Sequence, residues 1–395
     1  MTRREEWKMN KKKHICIITY GYPFDKKPHS YTFVDKLVCA MADQDVTCTV
    51  INPIGKTFDK NNEMPPVRWK KKTAKGNEIE LFCPRYLYFY TKQVGKFNTG
   101  IFTFHLFKKA VKKTLKKYQI KPDCLYAHFI FPAGATAAII GNELKLPVFF
   151  AYGESTPWGI KIFGKKRLKK YFESINGVVA VSTAKKNELL SFSIVSEDKV
   201  AIFLNAIDET VFYPRSREAM RRRYGFSKED FIVAFTGNFN ESKGVMRLLE
   251  AANKDKKIKL ALIGNGKFKP EGENIVFKGI LPHNEVPLML SACDIFVLPT
   301  LNEGCSNAII EAMACGLPIV SSDRAFNYDI LNENNAILVE PENVDEIYEA
   351  IARLMKSAEM RSTFSEKSLE ISKKLTIEKR AIDILKWMES KNKTD

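Results

Sequence analysis

Two glutamates, Glu303 and Glu311, share one stretch of the chain, NEGCSNAIIEAMACGLPIVSS (302–322), with seven residues between them. Paired carboxylates invite a hydrolase reading, with one acid and one base or nucleophile. The spacing and setting argue for another division of labour. Eight positions along a continuous helix lie about 80° off one face. Glu311 stands in AIIEAMACG, which offers no polar face and so reads as a helix buried all round. A carboxylate in that setting costs several kcal/mol unless it meets a cation, a protein donor or a ligand hydroxyl. Glu303, on the loop before the helix, is placed to face a cavity. The two are expected to read different parts of one elongated ligand.

The residues between them suit a phosphate. DIFVLPT (294–300) reads as a buried strand, and Ser306 or Asn307 can cap the following helix, which Gly316 and Pro318 end. A loop from a parallel strand into a helix N-terminus binds phosphates through free N–H groups and the helix dipole. Gly304, Cys305, Ser306 and Asn307 are small and uncharged, so a diphosphate could approach their backbone, with Cys305 a passive small residue. Further candidates are His128 at the end of CLYAHF, Lys243 in ESKG, Glu154 in YGESTPWG and His29 in GYPFDKKPHS. Without context, His128 fits a satisfied core histidine and Lys243 a solvated lysine. Glu154 serves equally as a cap or as a donor or acceptor contact.

The elements that must position these groups alternate between strand and helix. HICIITY, VTCTVIN, CLYAHF, PVFFAYG, GVVAVS and KVAIFLNAID are strand-like runs, and YTFVDKLVCAMAD and GATAAIIGNEL are helical. Residues 53–80 are lysine-rich and read as a loop or small hairpin. The plan repeats in FIVAFTGNFN, KLALIGNG, NIVFKGIL, DIFVLPT and LPIVSS. Such alternation implies parallel sheets covered on both faces. The expected fold is α/β, with two doubly wound domains facing each other. These are residues 12–207 and 208–375, divided near NAIDETVFYP, with a last helix at about 376–395 packing back on the first.

The net charge of +17 is unevenly placed, since residues 1–207 carry 36 Lys and Arg against 17 Asp and Glu, whereas 208–395 carry 27 against 29. That asymmetry points one half toward an anionic surface or partner. IFTFHLFKKAVKKTLKKY (101–118) sets six lysines beside an apolar stripe. It reads either as a core-docked helix with a basic outer face or as a membrane-surface helix, and KKRLKK (165–170) adds a second basic cluster. No base-stacking motif accompanies them, so nucleic acid is not expected as a partner. Eight scattered cysteines without a C-x-x-C pair fit reduced thiols, not disulfides or zinc. No apolar run reaches the ~18 residues of a membrane span, and the N-terminus lacks a signal peptide's apolar stretch. A cytoplasmic protein is expected, peripheral at the inner face of the plasma membrane if the basic helix binds lipid.

The Glu303–Glu311 stretch resembles the E-x7-E signature of retaining glycosyltransferase family 4. The similarity runs on through the YP–loop–FV start, YAHF, AVSTAKKNEL, NAIDETVFYP, FTGNFNESKG, LIGNG and NNAILVEPENVDEI, an ordered series over about 330 residues. The resemblance implies a GT-B fold of two Rossmann-like domains, with a nucleotide-sugar on the second and the acceptor mostly on the first. It implies that Glu311 holds ribose hydroxyls, Glu303 the hydroxyls of the transferred sugar, and Lys243 the diphosphate. His128 would contact the donor sugar at the reaction centre, and the base would lie near Gly279 and Ile280, with Gly264 and Gly266 opening space beside it. Asn238 stands where the family often has an arginine, FDKKPHSYTF replaces a glycine-rich loop, and Asn205-Ala206 replaces Asn-Gly.

The function this implies is retaining, metal-independent sugar transfer from a nucleoside diphosphate sugar, UDP-linked. The acceptor would be a glycan or lipid-linked glycan in surface polysaccharide assembly, with no cofactor beyond the donor. The rival readings are another GT-B enzyme, such as an epimerase or phosphorylase, and a basic membrane- or nucleic-acid-binding protein that has lost catalysis. Intact Glu303, Glu311 and Lys243 argue against the last.

Overall fold

The computed structural model describes residues 12–392 apart from 29, 57–63, 90–92, 95, 96 and 155. His29 therefore lies outside the described residues. The chain divides into two compact units. Unit 1 takes in Met1–Val181, Lys185–Phe203 and Arg380–Asp395, and unit 2 takes in Ser182–Ala184 and Leu204–Lys379.

Unit 1 is built on an eight-stranded sheet: β1 (Lys13–Ile18), β2 (Val46–Ile51), β3 (Arg68–Lys72), β4 (Glu78–Phe82), β5 (Cys124–His128), β6 (Val148–Tyr152), β7 (Gly177–Ala180) and β8 (Val200–Ile202). Their order is β8-β7-β6-β5-β1-β2-β4-β3, parallel throughout except for the antiparallel β3–β4 pair. Continuous apolar runs such as HICII and VFFAY are buried on both faces, as a helix-covered parallel sheet requires. The lysine-rich segment that reads as a loop or small hairpin supplies the edge strand β3. Its alternate residues point outward, and Arg68 and Lys70 pair across the strands with Glu80 and Glu78 at 2.6 and 2.7 Å. Lysines there discourage further strand pairing.

The basic segment forms the helix Thr99–Lys117, started by the Asn98 side chain accepting from the Gly100 N–H at 2.8 Å. It docks on the core through Phe104, Phe107, Val111 and Leu115, with Lys109, Lys112, Lys113, Lys116 and Lys117 on its outer face. The helix Ile377–Asn392 packs its Trp387 ring against Gly177, where a Cβ would come within 2.3 Å of the ring. Phe149 and Phe203 flank that ring, each at 5.6 Å.

Unit 2 holds β9 (Phe231–Thr236), β10 (Ile258–Ile263), β11 (Ile275–Gly279), β12 (Ile295–Leu298), β13 (Ile319–Ser322) and β14 (Ala336–Val339). Their order is β11-β10-β9-β12-β13-β14, all parallel. Counted within the unit this is 3-2-1-4-5-6, the doubly wound order in which connections leave β9 and β12 in opposite directions. The crevice beyond those two carboxyl ends is where such sheets take ligands. Among the described residues no helix is long and apolar enough to cross a membrane.

Candidate active site

The loops leaving β9 and β12 bring Lys243 and Glu303 together. Lys243 ends a 3-10 turn, Glu241–Lys243, capped by Asn240 Oδ1, which lies 3.0 Å from the Lys243 nitrogen. The Leu301 N–H and the Thr300 hydroxyl donate to the Ser242 carbonyl at 2.7 and 3.1 Å, fastening that turn to the second loop. The Ser322 hydroxyl donates to the Thr300 carbonyl at 2.6 Å, so β13 also holds the loop. The result is a direct ion pair between Lys243 Nζ and Glu303 Oε1, both side chains about four-fifths buried. A cation and a carboxylate from two different loops thus neutralise each other.

Gly304, Cys305 and Ser306 are buried behind Glu303. The Cys305 carbonyl accepts from Asn205 Nδ2 at 2.9 Å, which fixes the turn and gives Cys305 a passive part. Ser306 sits at the N-cap of the helix Asn307–Ala314, but its side chain takes no hydrogen bond from that helix, contrary to the capping expected. The first N–H groups of the helix keep their directionality toward the loop.

The helix is not buried all round. Asn307, Ala308 and Glu311 are partly exposed, and the Glu311 carboxylate is 15% exposed. Its partner is His283, whose Nε2 lies 3.4 Å from Glu311 Oε1 and whose ring stands edge-on to Phe212 at 5.1 Å. The apolar run hid one solvent-facing position per turn, and the histidine that answers Glu311 comes from the loop after β11. Sequence reasoning missed His283, because nothing in PHNEV marks it.

Gly264 and Gly266 correct the expectation of open space. A Cβ at Gly264 would sit 2.0 Å from the Gly237 carbonyl oxygen, and one at Gly266 2.5 Å from that of Phe239. Gly264 has φ +142 and donates to the Gly279 carbonyl at 2.8 Å, while Phe239 donates to that of Asn265 at 2.7 Å. These glycines let the strand-end loops approach one another. Asn238 and Ile280 are exposed on the same rim.

His128 and Glu154 belong to unit 1, at the ends of the neighbouring strands β5 and β6. His128 is 3% exposed, edge-on to Tyr126 and Phe33, and its Nε2 makes no protein hydrogen bond. Burial, and secondarily the Arg380 guanidinium, push its pKa down to about 3, so the ring is neutral and offers hydrogen bonding, not charge. Glu154 is 6% exposed; its Oε1 accepts from the Ile130 N–H at 2.6 Å, and its Oε2 has no hydrogen-bond partner among the described residues. Burial raises its pKa from 4.5 to about 8, against the N–H groups of Ile130 and Phe131, which lower it. The folded state therefore holds a proton that the unfolded chain releases above about pH 4.5. Stability from this group is complete below that value and is lost as pH rises to about 8. Glu154→Gln should remove that slope, gaining on the order of a few kcal/mol relative to wild type between pH 5 and 8. Urea unfolding at both pH values checks this, and parallel pH profiles for the two proteins would refute it.

Among the described residues no group of three or more His, Cys, Asp and Glu could hold a metal ion. Residues 32–211 match the model of glycosyltransferase family 4, and residues 216–370 match that of the glycosyl transferases group 1. The Bacillus subtilis protein TuaC, named as a putative teichuronic acid biosynthesis glycosyltransferase, is 26% identical over 351 residues, 86% of this chain and 88% of that protein. Among solved structures, sucrose-phosphate synthase of Thermosynechococcus elongatus superposes with a TM-score of 0.73 at 18% identity, over 96% of this chain and 99% of that one. Anabaena HepE, solved with UDP and glucose, gives 0.70 at 15% identity over 96% and 100%. Those likenesses carry the fold, and the two family models between them take in nearly all of 32–370, with the first ending shortly after unit 2's main segment begins at Leu204. The chain belongs to the GT-B glycosyltransferases of family 4.

Proposed function

We propose that this glycosyltransferase is a retaining hexosyltransferase. It would move a sugar from a UDP-sugar to a glycan or lipid-linked acceptor during surface polysaccharide assembly. The observation that carries the reading is the meeting of Lys243 and Glu303 at the β9–β12 crevice, beside the N-terminus of the helix bearing Glu311. Polysaccharide assembly draws support from TuaC, and a UDP-linked donor from HepE, whose structures include one with UDP-glucose.

In this reading the diphosphate lies over Gly304–Asn307 and takes Lys243 as counter-ion, while Glu311 reads the ribose and Glu303, released from Lys243, the sugar hydroxyls. The bond from the sugar's anomeric carbon to the diphosphate breaks. The acceptor oxygen bonds to that carbon on the same face, and its proton passes to the departing diphosphate oxygen. Lys243 and the helix N-terminus stabilise the charge developing there. His128, neutral, would hydrogen-bond the sugar through Nε2, which has no hydrogen-bond partner among the described residues. No cofactor or metal takes part. We place the protein in the cytoplasm, at the inner face of the plasma membrane, with the outer face of the helix Thr99–Lys117 toward anionic lipid.

Glu303→Ala should abolish transfer while leaving the fold intact. Wild-type turnover by that variant, on a donor first identified by thermal shift against UDP-, GDP- and ADP-sugars, would sink the assignment. Slow release of free nucleoside diphosphate by the wild-type protein separates a transferase from a GT-B enzyme of other chemistry.

A further inference from the structure

Unit 1 contains a cavity of about 400 Å³ under the helix Thr99–Lys117 that the donor chemistry leaves unused. Phe104 and Phe107 of that helix, Phe131, Trp158, Ile54 and Tyr86 bound it. The Phe131 ring packs against Phe104 at 5.3 Å and Trp158 at 4.7 Å, so the aromatic wall is continuous. Size and lining are those of a small-molecule site.

The hydrogen-bonding capacity of the wall selects the occupant. The Thr103 hydroxyl donates to the Phe89 carbonyl at 2.8 Å and accepts from its N–H at 3.1 Å. The Tyr20 hydroxyl is hydrogen-bonded to Tyr31. Tyr86 and Tyr88 bring the only other side-chain hydroxyls among the described lining residues, against a wall otherwise formed by Ile54, Phe104, Phe107, Phe131 and Trp158. A sugar ring could therefore satisfy few of its hydroxyls here, a cost an apolar chain does not meet. Cations stand beside the same rings: Lys108 Nζ is 5.9 Å from the Phe104 ring, and the Arg167 guanidinium is 5.9 Å from that of Phe163, which touches Phe104 and Phe131. Protonation of the His105 imidazole is disfavoured first by burial and then by both of these cations, so the two positive charges share one neighbourhood. Phe102 and Leu87 add large apolar side chains that remain 54% and 55% exposed.

We propose that this cavity receives the hydrophobic chain of a phosphate-bearing lipid acceptor, with Lys108 and Arg167 toward its phosphate. The assignment rests on the lipid-linked reading of the acceptor given above. Farnesyl phosphate, titrated into the full chain by calorimetry, should bind saturably. Ile54→Trp, which fills the cavity, should weaken that binding about tenfold or more at an unchanged unfolding midpoint. The surface pair Lys108→Glu and Arg167→Glu should weaken farnesyl phosphate but leave uncharged farnesol unaffected. Equal binding by wild type and Ile54→Trp, or full competition by inorganic phosphate, would overturn the cavity assignment. A wild-type protein that transfers sugar to a soluble glycan yet binds no farnesyl phosphate also overturns it, and leaves the transferase standing. Prenyl binding sensitive to Ile54→Trp in a protein that never turns over a donor supports the cavity while refuting the function proposed for it.

Discussion

Lys243→Ala should lower kcat about 10²–10³-fold and raise the donor KM. The kinetic effect is large because one side chain serves two partners. Lys243 neutralises Glu303 in the structure, and in the reading proposed above it meets the diphosphate whose charge grows as the glycosidic bond breaks. Removing it strips the leaving group of its cation and leaves an unpaired carboxylate to repel the incoming diphosphate. Glu303→Gln separates these parts. Without the competing anion, Lys243 should bind free nucleoside diphosphate several-fold more tightly, while transfer falls for want of the sugar contact. Calorimetry with the nucleotide and steady-state kinetics on both variants test the pair. Full kcat in Lys243→Ala, or weaker nucleotide binding in Glu303→Gln, would show that the ion pair is a bystander of the chemistry.

The crevice was legible in the sequence, because strand–helix alternation fixes a parallel sheet and loops at strand carboxyl ends converge where the connections diverge. Lys243 by itself reads as a solvated lysine; only the family resemblance singles it out, and its ion pair with Glu303 was not foreseen. Glu303 and Lys243 occupy two such loops. What stayed hidden depends on partners far along the chain. Glu311 in an apolar run reads as buried, since periodicity over eight residues reports composition and not which side faces solvent. His283, 28 positions earlier, answers it only after β11 and the helix are in place. Gly264 reads as room for a ligand, but its near neighbour is the Gly237 carbonyl, a contact between two loops that no local pattern encodes. Glu154 left a cap and a ligand contact open; its Oε1 holds the Ile130 N–H, a partner 24 positions earlier that no local pattern marks, while its Oε2 keeps no hydrogen-bond partner among the described residues. The lysine-rich 68–72 segment, which reads as part of a loop or small hairpin, is an edge strand because cross-strand glutamates, not apolar alternation, seat it.

Asp294→Ala should cost unit 2 about 3–5 kcal/mol, a large fraction of the stability of an ordinary domain. Asp294 is 8% exposed and stands just before β12. Its Oδ1 takes a 2.6 Å bond from Arg217, and its Oδ2 takes bonds from Arg221 at 2.6 Å and from the Ile232 N–H at 2.7 Å. Arg221 is equally buried and donates onward to the carbonyls of Ala292 and Lys228 at 3.1 and 2.9 Å. Alanine would leave a buried guanidinium and a buried N–H without their acceptor, the case in which breaking a pair costs most. Replacing both partners by apolar residues of similar volume, as in Asp294→Leu with Arg221→Met, should cost much less than the single change. The site is remote from the chemistry yet coupled to it through the sheet. Asp294 and Ile232 lie at the amino ends of β12 and β9, whose register Val233–Ile295 is set there and whose far ends lead to Glu303 and Lys243. Urea unfolding, following the transition that nucleotide displaces, gives the cost for unit 2 alone. A loss below about 1 kcal/mol would mean that water replaces the carboxylate without strain, and that the two strands keep their register by packing alone.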